Sequence, residues 1–249
     1  MNRRPTAWPG LTGLAATLVL ALPAQAQVID DFEGSFGSQT AVFASIPSPF
    51  AQLEVTRDAA VPGGTRRLQL LADTATAGTT SVALSGSGDL WAFASGGQRT
   101  AFNVAYGSSR PMDLDLSAAG ALRIDVYYSS PMKLVVYAST QTTPGANPDA
   151  SAVAIDLPDL FRQTVDIPLS SFATNSATGL PVRWSDVDGL AFFVSANGPL
   201  PPSGDGFWIS QISAVPVPEP AGAWLWLAGV AGLAGRLASG RRMAGGWQR

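Results

Sequence analysis

The stretch Leu122-Arg123-Ile124-Asp125-Val126-Tyr127-Tyr128 decides the fold class. Side chains alternate along an extended chain, so Leu122, Ile124, Val126 and Tyr128 fall on one side. Arg123, Asp125 and Tyr127 fall on the other. Ser129-Ser130-Pro131-Met132 reads as a turn, and Leu134-Val135-Val136-Tyr137 returns as an antiparallel partner. Working outward, apolar runs punctuated by glycine, proline, serine and aspartate predict further strands over 28–33, 53–56, 67–71, 81–84, 100–106, 152–157, 162–167, 190–195 and 207–212. No long window between 27 and 217 repeats with a 3.6-residue period; short helical turns near 156–161 and 184–188 are the most the pattern allows. Residues 139–151, with Pro144, Gly145, Asn147 and Pro148, read as a flexible insertion rather than a domain boundary, since neither half would hold a complete pair of sheets. Many short strands at this spacing predict one all-β domain, an antiparallel β-sandwich or a barrel, and the absence of an internal repeat argues against a propeller or solenoid. Its expected core is Phe32, Leu70, Val82, Phe102, Val104, Ile124, Val126, Val136, Val165, Ile167, Phe192, Val194 and Ile209.

The chain has 249 residues and neither histidine nor cysteine. That excludes a Ser-His-Asp triad, a Cys-His nucleophile, imidazole or thiolate metal sites and any disulfide framework. Residues 27–217 hold 17 acids against 9 bases, an excess of eight negative charges, with Lys133 as the one lysine. Such a domain has no footprint for the phosphates of a nucleic acid. The remaining arginines sit at the two ends, beside apolar runs, which points to a membrane.

At the start, Arg3 and Arg4 precede the apolar run 11–22, followed by Pro23-Ala24-Gln25-Ala26. This is the charged region, short apolar region and A-x-A site of a secretory signal peptide, with Ala24 and Ala26 at the cleavage site and Gln27 as the mature N-terminus. The alternative is a buried N-terminal helix. At the other end, Val215-Pro216-Val217-Pro218-Glu219-Pro220 leads into an uncharged run over 221–235, then Arg236, Arg241 and Arg242. Prolines delay the helix until after Pro220. Leu237 and Ala238 lengthen the apolar stretch while Arg236 snorkels, which gives a membrane helix over 221–238. Trp224 and Trp226 suit the opposite interface, and the arginines hold their end inward as a stop-transfer signal. Both ends therefore place the acidic domain outside the cytoplasm.

The tail resembles the PEP-CTERM sorting signal of Gram-negative bacteria: a Pro-Glu-Pro triplet (Pro218, Glu219, Pro220), one apolar helix and an arginine-rich end. Here the basic residues are split by Leu237-Ala238-Ser239-Gly240, and seven residues follow Arg242. The resemblance implies processing by an exosortase, a membrane-embedded transpeptidase-like enzyme, then release to or attachment at the outer surface in organisms that make exopolysaccharide. The plain alternative is a single-pass anchor that stays on the protein.

Val28-Ile29-Asp30-Asp31-Phe32-Glu33 looks like the opening strand of galactose-binding-like jelly rolls, which include several carbohydrate-binding modules. Asp205-Gly206-Phe207-Trp208-Ile209-Ser210-Gln211-Ile212 is placed as the closing strand beside it, and 184–193 looks like the turn and strand before that. Such folds often carry a structural calcium ion held by acids near the first strand, which makes Asp30, Asp31 and Glu33 candidate ligands. The closing strand has Ser210-Gln211 where an aspartate ligand would be expected. The other reading packs Phe32 inward and leaves the three acids solvated or bonded to loop amides. No other cofactor is implied.

Sugar binding needs exposed aromatics, and Trp91, Tyr106, Tyr127, Tyr137, Trp184 and Trp208 are the available flat side chains. Tyr127 stands out because it faces away from Tyr128, beside Arg123 and Asp125. Catalysis has thinner support. A glycosidase needs two carboxyls about the scissile bond; the domain has two glutamates, Glu33 and Glu54, and Asp113-Leu114-Asp115 puts two acids on one face of an extended segment. The organisation expected is a signal peptide (1–26), a β-sandwich (27–214) and a sorting signal (215–249). The function expected is a non-catalytic surface or matrix protein associated with exopolysaccharide, the alternative a dedicated glycan-binding module. Its partners would be the Sec export machinery, signal peptidase, exosortase and, transiently, the inner membrane.

Overall fold

The computed structural model describes residues 26–32, 41–45, 50–56, 61–72, 79–85, 88–94, 100–141, 145–158, 161–197 and 205–216. The strands are β1 (Gln27–Asp30), β2 (Ala41–Ser45), β3 (Phe50–Thr56), β4 (Thr65–Ala72), β5 (Thr79–Ser85), β6 (Asp89–Ala94) and β7 (Thr100–Tyr106), then β8 (Ala119–Tyr128), β9 (Met132–Thr140), β10 (Asp149–Leu157), β11 (Phe161–Pro168), β12 (Ala173–Thr174), β13 (Gly189–Ala196) and β14 (Asp205–Pro216). They form two seven-stranded sheets, wholly antiparallel, ordered β11-β8-β14-β6-β5-β2 with β1 against β14, and β12-β10-β9-β13-β7-β4-β3. This is the antiparallel β-sandwich, and not the barrel, of the two architectures expected from the many short strands. The signal peptide, the Pro-Glu-Pro triplet and the 221–238 helix lie outside the described residues. Among the described residues no helix is long and apolar enough to cross a membrane.

The core fills the space between the sheets from alternate positions of facing strands. Leu122, Ile124, Val126 and Tyr128 of β8 point in, as do Leu134, Val136 and Ala138 of β9 and Leu190, Phe192 and Val194 of β13. Phe207 of β14 stacks on Tyr128 in its own sheet and meets Phe102 of the opposite sheet at 5.3 Å between ring centroids. Such pairs add about 1 kcal/mol beyond the area they bury. Of the expected core, Val165 is only partly buried against it, the Val82 side chain lies outside the described residues, and the others are buried.

Two expectations need correction. The insertion expected over 139–151 is shorter than that, because β9 runs to Thr140 and β10 starts at Asp149, with Ser139 opposite Ala150 and Ala138 opposite Ser151. Serine and threonine there read as loop residues, but Thr140 Oγ1 donates to the Asp186 carbonyl at 2.7 Å and so can sit buried in a strand. The helical turn expected near 156–161 does not begin at Asp156, which pairs opposite Lys133 while Leu157 pairs opposite Met132, so cross-strand pairing carries β10 to Leu157; 159–160 lie outside the described residues. Near 184–188 the structure has one hydrogen-bonded turn, Asp186 N–H to the Arg183 carbonyl.

β14 organises the first sheet. It pairs with β8 from Phe207 to Pro216, while its other edge is shared: β6 takes residues 205–209 and β1 takes 212–214. Ser210 is the extra residue between the Ile209–Val126 and Gln211–Asp125 pairs, a β-bulge at the point where one neighbour hands over to the other. Gln27 stands opposite Ala214, so the chain enters and leaves the sandwich at the same end.

Candidate functional site

On the outer face of the first sheet the register aligns four side chains in one row. Arg162 of β11 is opposite Tyr127 of β8, Tyr127 is opposite Trp208 of β14, and Trp208 is opposite Trp91 of β6. The alternation that buries Tyr128 leaves Tyr127 46% exposed. Tyr127 meets Trp208 edge to face, with ring centroids 5.0 Å apart. Phe93, two residues beyond Trp91 on the same face, is 42% exposed. Among the described residues of this face Tyr127 and Phe93 are exposed, with Trp208 and Trp91 half-buried in the row.

A cleft of about 290 Å³ opens at Arg162, Tyr127 and Trp208 of this row, lined also by Asp89, Val126 and Ser210. Ser210 reaches the rim because it follows Trp208 by two residues and so shares its outer face of β14. Beside the cleft, Arg123 grips Asp166 with Nε and Nη2 at 2.7 and 2.8 Å, and Thr164 Oγ1 donates to Asp125 at 2.6 Å. The Arg123 bonds hold the Asp166 carboxyl below its usual range, and the same bonds raise Arg123. These pairs tie β8 to β11, so the neighbours of Tyr127 are fixed in place. The arrangement offers two aromatic rings set at 65° to each other, with one cation, one carboxylate and a hydroxyl along the rim.

Of the six aromatics picked from the sequence, Tyr127, Trp208 and Trp91 come together and the others do not. Tyr106 is buried and donates its hydroxyl to Asp30 at 2.6 Å; burial, then the adjacent carboxylate, push its ionisation well above the ordinary tyrosine value. Tyr137 lies on the outer face of the other sheet, where partial burial raises its hydroxyl. Trp184 packs edge-on against Phe172 at 5.1 Å.

Of the three candidate ion ligands, Asp30 is committed to partners within the protein. Asp30 is buried, and both its oxygens have protein partners: Arg66 Nε at 2.7 Å, Arg66 Nη2 at 2.5 Å, the Tyr106 hydroxyl and the Phe32 amide at 2.8 Å. A carboxylate saturated by a guanidinium has no lone pairs directed at a cation. Asp31 follows β1 and is half-buried, and Glu33 lies outside the described residues. Phe32 packs inward, with the Arg66 guanidinium 5.3 Å from its ring centre. The residue missed in the sequence is Arg66. Next to Arg67 it reads as a surface base, and only the opposing sheet reveals its partner.

The described acids that do converge are Asp113, Asp186 and Asp188, with carboxylate oxygens within 4.8 Å of one another. Asp186 is paired with Arg183 at 2.7 Å, and Asp188 accepts the Gln141 amide at 2.6 Å, which offsets their mutual repulsion. Asp113 and Asp115 therefore act separately. Asp115 accepts the Ser117 amide at 2.8 Å in a turn, and the Ser117 side chain, then that amide, lower its carboxyl.

No family model and no curated protein matches the chain. Among solved structures it is similar to the family 11 carbohydrate-binding module from Clostridium thermocellum in complex with a β-1,3-1,4-mixed-linked tetrasaccharide, at 14% identity over 78% of this chain and 98% of that one, with a TM-score of 0.43. It is similar to a family 30 carbohydrate-binding module at 13% identity, 78% and 100% coverage and a TM-score of 0.37. It is also similar to TmCBM61 in complex with β-1,4-galactotriose, at 10% identity, 77% and 99% coverage and a TM-score of 0.30.

Proposed function

We propose that this is an exported carbohydrate-binding domain that holds a polysaccharide in the cleft over Tyr127 and Trp208. The observation that carries the reading is the aligned row Arg162-Tyr127-Trp208-Trp91 across four neighbouring strands. Aromatic faces accept the C–H face of a pyranose, while Arg162, Asp89 and Ser210 offer hydrogen bonds to its hydroxyls. The domain is non-catalytic in this reading. Glycoside hydrolysis needs two carboxyls flanking the bond, and among the described lining residues Asp89 is the one carboxylate. Affinity electrophoresis through gels of neutral β-glucan, β-galactan, β-xylan, β-mannan and the host's own exopolysaccharide tests it. At least one gel should retard the protein, and Trp208→Ala with Tyr127→Ala should abolish the retardation; free migration in every gel overturns the reading.

We further propose that the tail is a PEP-CTERM sorting signal, with Pro218-Glu219-Pro220 recognised by an exosortase and 221–238 held in the inner membrane. Its support is the order of triplet, apolar run and arginines, together with the pairing of β1 and β14. That pairing sends both chain ends out of one end of the sandwich. Trp208 lies eight residues back from Pro216 along β14, roughly 26 Å at strand spacing. A membrane-held tail therefore leaves the cleft toward the far end, accessible to a polymer outside the cell.

A further inference from the structure

We infer that Gly206 sets the attitude of the Trp208 indole and so makes the stacking floor of the cleft, an inference that rests on the glycan-binding reading above. Gly206 precedes Trp208 by two residues on β14 and shares its face of the sheet. A Cβ at position 206 would stand 2.7 Å from both Cη2 and Cζ3 of Trp208, the far edge of the indole. The ring therefore lies back along its own strand, over the glycine, instead of standing out into solvent, and Gly206 is buried beneath it. The backbone does not require glycine there, because Gly206 does not adopt a positive φ. What excludes a side chain is the indole.

The clash cannot be relieved by moving the strand. Gly206 N–H donates to Ser129 Oγ at 2.7 Å, and its carbonyl accepts from Ser129 N–H at 2.9 Å and from Ser129 Oγ at 3.3 Å. The glycine is thus pinned on its β8 side, while Phe93 of β6 stands opposite it on the other. A methyl group at 206 must lift the ring, and a raised ring loses both its edge contact with Tyr127 and the flat face turned to the cleft. The class of ligand this selects is a chain of pyranoses presenting a free C–H face, as equatorially substituted β-linked rings do.

The test is a cycle of Gly206→Ala and Trp208→Ala in the full chain, with stability read by urea unfolding and binding by titration with the panel polysaccharide that retards the wild type. Gly206→Ala should weaken binding about fivefold or more and alter the near-ultraviolet tryptophan dichroism. In the Trp208→Ala background the same substitution should neither weaken binding nor lower the unfolding midpoint, because the ring it meets is gone. If Gly206→Ala destabilises equally with and without Trp208, or leaves wild-type binding intact, the inference is overturned. The stability arm needs no ligand, so its outcome is independent of glycan binding. A wild type that binds nothing sinks the proposed function instead.

Discussion

Arg66 reaches from β4 of one sheet to Asp30 of β1 in the other, and the two side chains are 1% and 0% exposed. The pair fixes the first strand of the domain against the opposite sheet. Removing one partner strands a buried charge, so Asp30→Ala should cost about 3–5 kcal/mol in urea unfolding, whereas Asp30→Leu with Arg66→Met should recover most of it. The loss should be the same with millimolar calcium or with chelator. A loss that appears only in calcium would return Asp30 to the role of an ion ligand.

Tyr106 completes that network, and its position gives an alkaline signature. Its ionisation is raised by burial and by Asp30, so the unfolded chain releases the phenolic proton first, from about pH 10 upward. Between the unfolded and folded values the native state holds the extra proton, and stability falls as pH rises, by about 1.4 kcal/mol per pH unit. Stability profiles between about pH 9 and pH 11 should be flatter for Tyr106→Phe than for the wild type. Equal slopes would mean that the hydroxyl does not remain protonated in the fold.

The exposed Arg123–Asp166 pair behaves differently. Its side chains are 43% and 49% exposed, so solvent screens the pair and Arg123→Ala should change stability little at neutral pH. The Asp166 carboxyl is lowered in the fold, so its share is present above the unfolded value, about pH 4, and fades as acid protonates it. A large loss for Arg123→Ala, or one that persists near pH 2, would mean that Arg123 has a packing role beyond the pair.

The fold is legible in the sequence wherever one face of a strand meets the core, because alternation exposes that directly, as in β8 and β13. It is illegible where polar residues are satisfied by distant partners: Ser139, Thr140 and Ser151 look like loop and are strand. β6 escapes a reading of the sequence, although Leu90, Ala92 and Ala94 alternate with Asp89, Trp91 and Phe93, because the run is short and lies between glycine-rich segments. Within the site, Tyr127 is visible from its own strand alone. Its companions are not, because which residues of β6, β11 and β14 stand in its row depends on register, and the bulge at Ser210 resets that register. The buried role of Asp30 is hidden for the same reason, since its counter-ion is 36 residues away in the other sheet.

The sorting proposal predicts a mature N-terminus at Gln27 and loss of the tail. Glu219→Ala should leave the precursor in the inner membrane, visible on fractionation as a larger band. Unchanged processing would reject recognition of the Pro-Glu-Pro triplet, and a mature surface form that keeps its tail would favour a plain anchor.

The most direct measurement is calorimetric titration of the intact protein with the polysaccharide that retards it in gels, alongside Trp208→Ala and Tyr127→Ala. The account predicts saturable binding by the wild type and a loss of affinity of at least about tenfold for either variant, with unfolding midpoints little changed. Binding that survives the removal of both rings would place the ligand elsewhere on the molecule and contradict the account.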